Sequence, residues 1–326
     1  MRRMHAAALV VLVGAGCAAA EPPLKLVQTI PLAGPASRLD HAALDAKHGR
    51  LFVANMANAS LDVVDLKAGK LVKQVPGQKG IQGIAYAPDL DRIFVGVGED
   101  GVCNVFGGED YKLLKAIPLA DADNVRYHPA THRVYVTHAE KALAVVDAKT
   151  LEVRTEVKLP GAPEGFQLET GSPRLYLNSP SAGEVFVIAT DKGEVQHRYP
   201  LKSAGNNYPL ALDEPGHRLF VGCRRKPMVV VLDSDSGKEL AAVPIPGDTD
   251  DLFYDAKRQR LYASCGEGFL AVIGPKEQDG YELLDKIATV KGARTSLFDA
   301  ETARIYLVVP RQEGKEGPET RVYQAP

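Results

Sequence analysis

One phrase of six residues recurs seven times along the chain, at intervals of 41 to 44 residues. Every copy begins with an arginine and continues with mostly apolar residues. The copies are RLFVAN from Arg50, RIFVGV from Arg92, RVYVTH from Arg133, RLYLNS from Arg174, RLFVGC from Arg218, RLYASC from Arg260 and RIYLVV from Arg304. A period of this length is typical of proteins that repeat a small sheet around a central axis. The repeat therefore predicts a β-propeller with seven blades.

Each repeat contains four short segments with the character of strands. The first precedes the arginine phrase, as in residues 82–87, and the phrase itself is the second. A third and a fourth follow after polar turns, as in residues 61–65 and 112–117. Apolar residues that alternate with period two between Pro, Gly and Asp indicate strands rather than helices. We therefore expect an all-β fold whose blades are four-stranded antiparallel sheets.

The two ends of the chain predict how the ring closes. The last repeat has only three strand segments, whereas residues 24–32 resemble the fourth segment of the other repeats. We expect this N-terminal strand to complete blade seven, because closure removes the open edges of a linear array. The propeller domain is predicted to span residues 24–325.

The first 20 residues have the pattern of a signal peptide, with a basic start, an apolar run over residues 6–16 and three alanines before Glu21. The run is too short to cross a bilayer of ~30 Å as a helix. Cleavage near Ala20 predicts a periplasmic or secreted protein. Lipid anchoring at Cys17 is the alternative, which we disfavour because the leucine usual three positions earlier is absent.

The charge of the chain argues against nucleic acid as a partner. The formal net charge is −2, and residues 1–20 contain two arginines and no acid, so their removal makes it more negative. An acidic protein has no general attraction to nucleic acid or anionic membranes. The one basic cluster, residues 224–226, is interpreted as a solvated turn, with contact to an anionic ligand or a partner as the alternative. We expect a monomer without a membrane span.

The phrase Tyr135–His138 (YVTH) and its counterparts resemble the YVTN repeat of the YncE-like seven-bladed propellers. The likeness covers essentially all of the chain after the signal peptide, although the fourth motif residue is Asn only at Asn55. The resemblance implies a propeller fold and a location outside the cytoplasm. Similar propellers serve as lactonases, quinoprotein-like enzymes and binding scaffolds, so it implies no single chemistry.

Two rings of polar residues fall at the end of the channel where the first strands begin, which we call the top rim. Propellers usually place ligands where loops converge on such a rigid frame. The candidate ligand residues of the top rim are Asp40, His41, Gln82, Asp123, Asn124, Glu164, Asn207, Asp250, Asp251 and Arg294. The alternative interpretation is that Asp and Asn here cap backbone amides in turns.

From this rim we predict an exported, non-catalytic scaffold that binds a small ligand or a partner protein through its top face. No GxSxG, HExxH, phosphate-loop or CxxC motif is present after the signal peptide, nor a CxxCH haem-attachment motif. The alternative is an enzyme, a lactonase-like hydrolase or a quinoprotein-like oxidoreductase, that uses the acidic rim. A divalent metal is not favoured; its ligands would be Asp40, His41, Asp123 and Asp250.

Two first strands carry polar side chains, Arg126 and Gln167, where the other repeats have Ala, Phe or Leu. We predict that Arg126 forms a buried ion pair with Asp123 or Glu164, and contact with an anion inside the channel is the alternative. The repeat arginines are expected to pair with acids five residues upstream. Those acids are Asp45, Glu169, Asp213, Asp255 and Asp299.

Three cysteines remain after the signal peptide. Cys223 and Cys265 share a register in neighbouring blades, where face-packed sheets ~10 Å apart make a disulfide difficult. Cys103 is predicted to be a buried core thiol.

Overall fold

The computed structural model describes residues 23–34, 38–138, 141–277 and 280–326. These residues form 28 strands in seven sheets, each with four antiparallel strands. Apart from a single 3-10 turn at Met56–Asn58, this part of the chain contains no helix, and hence none that is long and apolar enough to cross a membrane. The prediction of an all-β, seven-bladed propeller is confirmed.

The strands follow the repeat in chain order. Blade one comprises β2 (Ala42–Asp45), β3 (Arg50–Asn55), β4 (Ser60–Asp65) and β5 (Lys70–Pro76). Blade two comprises β6 (Ile81–Ala87), β7 (Arg92–Val97), β8 (Val102–Gly107) and β9 (Leu113–Pro118). Blade three comprises β10 (Val125–His128), β11 (Arg133–His138), β12 (Ala142–Asp147) and β13 (Val153–Lys158). Blade four comprises β14 (Phe166–Leu168), β15 (Arg174–Ser179), β16 (Glu184–Ala189) and β17 (Glu194–Pro200).

The last three blades have the same order. Blade five comprises β18 (Gly205–Asp213), β19 (Arg218–Arg225), β20 (Met228–Asp233) and β21 (Glu239–Pro244). Blade six comprises β22 (Thr249–Asp255), β23 (Arg260–Cys265), β24 (Phe269–Lys276) and β25 (Gly280–Ala288). Blade seven comprises β26 (Ser296–Asp299), β27 (Arg304–Val309), β28 (Glu319–Gln324) and β1 (Lys25–Pro31).

The N-terminal strand closes the ring as the sequence predicts. β1 pairs antiparallel with β28, from Lys25 opposite Gln324 to Pro31 opposite Glu319. Ile30 of β1 is fully buried and packs in the cluster between blades seven and one. Each blade therefore has a neighbour on both faces. The proposed signal peptide and Cys17 lie outside the described residues.

The hydrophobic core lies between neighbouring blades, because each sheet is covered on both faces. Phe94 and Val105 of blade two, for example, pack in one cluster with Val134 and Val146 of blade three. Side chains in the middle strands of the blades are almost entirely buried. Packing of this kind holds the first strands rigidly around the central channel.

The repeat arginines connect the bottom of one blade to the next. Arg50 forms an ion pair with Asp45 at 2.6 Å and also donates to the carbonyl oxygen of Gly108 in blade two. Arg92 donates in the same way to the carbonyl oxygen of Ala148 in blade three. These bonds satisfy backbone acceptors in the turn between the third and fourth strands of the following blade.

The predicted pairing of repeat arginines with the acids that lie five residues upstream in several blades holds only in part. It is confirmed for Arg50 and for Arg174, whose guanidinium lies 3.5 Å from Glu169. In blade six, Asp255 pairs instead with Arg258, because the turn between the strands supplies a nearer cation. The three cysteines of the described residues are buried and free.

Candidate ligand site at the top of the channel

The top rim is shaped by irregular pairing of the first strands. In β22, Thr249 pairs with Cys265 and Asp251 pairs with Ser264, so that Asp250 is an extra residue in the strand. A β-bulge of this kind redirects side chains and is frequent beside binding sites. β18 contains a similar register shift at its top end. Both Asp250 and Asp251 consequently line the mouth of the channel.

His41 lies at the centre of an acidic group on the rim. Its Nδ1 atom is 3.3 Å from Asp251 Oδ2 and its Nε2 atom is 3.6 Å from Asp40 Oδ1. Burial alone would lower the pKa of His41, but Asp251, Asp40 and Asp250 outweigh it and raise that pKa to about 10. Asp251 also accepts a hydrogen bond from the backbone amide of Ser296 at 2.8 Å. His41 is therefore a charged, paired imidazolium at neutral pH.

Asp250 lies between two arginines. Arg224 Nη2 is 2.5 Å from one of its carboxylate oxygens, and Arg294 Nε is 2.9 Å from the other. Arg294 also contacts Asp248, with Nη1 at 3.0 Å from Oδ1. The Arg224 guanidinium stacks on the Tyr208 ring at 3.6 Å from the centroid. These contacts neutralise Asp250 and fix both arginines.

The interpretation of residues 224–226 as a solvated turn is therefore wrong for Arg224, whose side chain is only 19% exposed. β19 continues to Arg225, two residues beyond most other second strands, and carries Arg224 back over the rim. Asp248 was not among the candidate residues either. Arg224 and Asp248 lie where blades five and six depart from the repeat. That departure is the only feature of the sequence that indicates a role for them at the rim.

Asp123 and Glu164 are the two rim carboxyls without a counter-ion. Within the described part of the chain, no ion pair or side-chain hydrogen bond reaches either of them. Burial, followed by repulsion from Asp40, raises the pKa of Asp123 to about 7. Burial, followed by repulsion from Asp123 and Asp250, raises the pKa of Glu164 to about 8. Burial also raises the pKa of Asp250, against the opposing effect of Arg224.

Two adjoining cavities occupy the channel. The upper cavity has a volume of about 20 Å³, which suits one or two water molecules. Its polar lining consists of His41, Asn124, Arg126, Glu164, Gln167, Tyr208, Asp250 and Asp251. The lower cavity has a volume of about 410 Å³ and lies between first strands. A cavity of this size is within the range of small-molecule sites.

Other candidate residues take structural positions. Asn207 is fully buried between blades four and five, where its amide donates to Asn178 Oδ1 at 2.7 Å. Gln82 lies against Gly98, at the side of the rim. Gln167 donates to the carbonyl oxygen of Leu210 at 2.8 Å while it lines both cavities.

The predicted ion pair of Arg126 is absent. No carboxylate among the described residues lies within 4.0 Å of its guanidinium, and Nη1 donates instead to its neighbour's carbonyl oxygen, that of Val125, at 3.0 Å. The Phe166 ring lies 5.7 Å from the guanidinium carbon. Asp123 and Glu164 lie two residues before the first strands β10 and β14, and three residues before Arg126 and Gln167, so their carboxylates stay at the rim.

The residues considered for a metal do not form one coordination site. Within residues 23–34, 38–138, 141–277 and 280–326, no three His, Cys, Asp or Glu side chains are arranged to hold a metal ion. Both nitrogens of His41 face carboxylates, and Asp250 faces two arginines.

Comparison with known proteins shows which sequences this chain resembles. Over 193 residues, 57% of this chain and 54% of the relative, the sequence is 25% identical to the protein YncE of Salmonella typhimurium. The protein YncE of Salmonella typhi gives the same values. Together with the seven blades, this similarity supports a YncE-like propeller. The chain is a YncE-like β-propeller.

The other similarities show how widely the fold occurs. The YncE-like chain is 22% identical over 235 residues to antigen Lp49 of Leptospira interrogans, covering 66% of this chain and 50% of that protein. It spans about half the length of the curated relatives it matches. No family model matches the sequence.

Two solved structures share the fold at low sequence identity. Hydrazine synthase of Kuenenia stuttgartiensis has a TM-score of 0.76 and 15% identity, covering 85% of this chain and 94% of that chain. U3-55K has a TM-score of 0.78 and 11% identity, covering 90% and 98%. At these identities the likeness concerns architecture alone.

Proposed function

We propose that the protein is an exported, non-catalytic scaffold that binds a small ligand at the top rim, and that the ligand carries an organic ammonium group. The observation that carries this proposal is the pair of half-buried carboxyls, Asp123 and Glu164, which form no ion pair, whereas the other candidate acids of the rim each form one. The adjoining cavities supply room for the rest of a small molecule.

An ammonium group matches the pair in charge and in hydrogen bonding. It has three donors, and the carboxylates of Asp123 and Glu164 offer acceptors. Asn124, which is buried and lines the upper cavity, offers an amide oxygen beside them. A charge-assisted hydrogen bond to a carboxylate is roughly twice as strong as a neutral one. The ligand would therefore gain most from the two acids that the fold leaves unpaired.

Export is the second part of the proposal and rests on the pattern of residues 1–20. A basic start, a short apolar run and an alanine triplet are the elements of a cleaved signal. Cell fractionation followed by N-terminal sequencing tests it: the extracytoplasmic protein is expected to begin at Glu21. A cytoplasmic protein that retains its first residues would refute export without affecting the binding site.

Binding of propylammonium is expected to strengthen as pH rises. The charged groups that face the pair are Asp40, Asp121, Asp250, His41 and Arg224. His41 keeps its charge over this range because its pKa is about 10. Affinity should therefore follow ionisation of the two acids and rise about tenfold or more between about pH 6 and about pH 9.

Isothermal titration calorimetry in buffers of different ionisation enthalpy measures both the affinity and the protons released. Glu164→Gln is expected to weaken binding about tenfold, and Asp123→Asn similarly. Glu194→Gln, an exposed glutamate of the same blade, serves as the matched control and should change nothing. The proposal fails if propylammonium binds no better than propanol, or binds equally well to Glu164→Gln.

A further inference from the structure

Arg126 lies at a level of the channel where the other residues have apolar or amide side chains. The positions seven residues before the repeat arginines form this level. Those that line the lower cavity are Ala43, Ala85, Arg126, Gln167, Phe253 and Leu297. The two alanines leave the space that the cavity occupies, and Arg126 is the one cation among these six. His41 and Asp251 also line this cavity but pair with each other, so Arg126 is its one charged side chain without an ion pair. A largely preformed cavity with a few placed polar groups is typical of a site for a small organic ion.

The guanidinium of Arg126 has unused donors. It carries five N–H groups, of which one, on Nη1, donates to Val125 O. The nearest aromatic contact, the Phe166 ring at 5.7 Å, adds modest cation–π stabilisation. Burial, more than any other effect, lowers the pKa of Arg126, although Asp251 and Asp123 act against it. A half-buried cation without a close partner carries a desolvation cost, and an anion in the cavity would offset it.

The nearby acids do not serve as that partner. Asp251 is paired with His41 and bonded to the backbone of Ser296. Asp123 stands above, at the rim, with no ion pair to Arg126. Arg126 and Glu164 consequently line the same upper cavity without forming an ion pair with one another.

We propose that Arg126, assisted by Gln167, forms an anion subsite for a carboxylate in the channel, and that the natural ligand is a small aliphatic amino acid. Its carboxylate would pair with Arg126 while its ammonium group meets Asp123 and Glu164. The apolar residues Ala43, Ala85 and Leu297 would contact the hydrocarbon part. The proposal that the ligand is a zwitterion rests on the proposed function, whereas the proposal of an anion subsite does not.

Calorimetry with three kinds of probe separates these parts. The probes are acetate, propylammonium, and a series of ω-amino acids from glycine to 6-aminohexanoate. The full chain is expected to bind acetate weakly and one member of the series at least about tenfold more tightly than either single-charge probe. The preferred length of the series reports the separation of the two charged subsites.

Arg126→Ala tests the anion subsite, and it should fold because blades one, two and five carry alanine at this level. Acetate and amino-acid affinity are expected to fall about tenfold or more, with propylammonium binding retained. Arg126→Lys should recover part of the loss. Arg154→Ala, which removes an exposed arginine of the same blade, is the matched control. Thermal unfolding confirms that each variant is folded.

Each result bears on a different part of the proposal. Acetate binding that is absent, or that Arg126→Ala leaves unchanged, overturns the anion subsite even if propylammonium binds. Acetate binding that depends on Arg126, without any gain from the amino acids, overturns the zwitterion and leaves the anion subsite. If acetate binds through Arg126 but propylammonium does not bind, the result counts against the proposed function and leaves the anion subsite.

Discussion

Removal of β1 is expected to leave a chain that no longer folds to a stable monomer. The strand supplies the fourth member of blade seven, and Leu24, Ile30 and Leu32 are buried against blades six, seven and one. Loss of three such side chains costs about 6 kcal/mol at ~2 kcal/mol each. The total stability of a domain is about 5–15 kcal/mol. The deletion also exposes β28 as an open sheet edge, which promotes aggregation.

A variant that lacks residues 1–32 tests this expectation against one that lacks residues 1–22. Urea denaturation and size-exclusion chromatography are the measurements. The shorter deletion should unfold cooperatively at the same urea concentration as the full chain and elute as the same species. A stable, monomeric variant without residues 1–32 would show that closure by β1 is dispensable.

The free energy of unfolding is expected to fall as pH rises from about 5 to about 9. The pKa of Glu164 is raised to about 8 and that of Asp123 to about 7, whereas both are near 4 in an unfolded chain. The folded state therefore binds more protons between these values, and its stability decreases as they are removed. His41 acts in the same direction, because the stabilisation from its raised pKa is lost as pH approaches about 10. Asp45, whose pKa is lowered, affects stability only below this range.

Glu164→Gln should abolish much of this slope. At about 1.4 kcal/mol per pKa unit and about three units between pH 5 and the raised pKa of about 8, the variant is expected to exceed the wild type by about 4 kcal/mol at pH near 9 and to match it at pH near 5. Urea denaturation across this range measures the difference, with Glu194→Gln as the control. A variant no more stable than the wild type at high pH would show that Glu164 is not under electrostatic stress. Since the same change should weaken ammonium binding, stability and function are expected to oppose each other at this residue.

The fold was predictable because a propeller repeats one local pattern. Alternation over each repeat gives four strands, and the phrases from Arg50 to Arg304 mark equivalent positions in seven blades. Even the closure by β1 followed from a missing fourth strand in the last repeat. Such features depend on neighbours in sequence or on the repeat register, both of which can be read directly.

The site was predictable only in part. The register of the repeat was sufficient to predict that one rim contains His41, Asp123, Glu164 and the two acids of β22. Register could not tell that Asn207 points between blades, since a register shift in β18 changes which residues face the channel.

The sequence by itself therefore determined the ring, its seven blades and the polar end of its channel. Only the tertiary structure decided which charges are paired: Arg224 and Arg294 neutralise Asp250, His41 neutralises Asp251, and Asp123, Glu164 and Arg126 are left without partners. The physical reason is that pairing depends on distances between side chains from different blades, to within an ångström or two. Those distances are set by bulges and by the packing of sheets around the ring, which the repeat pattern does not record.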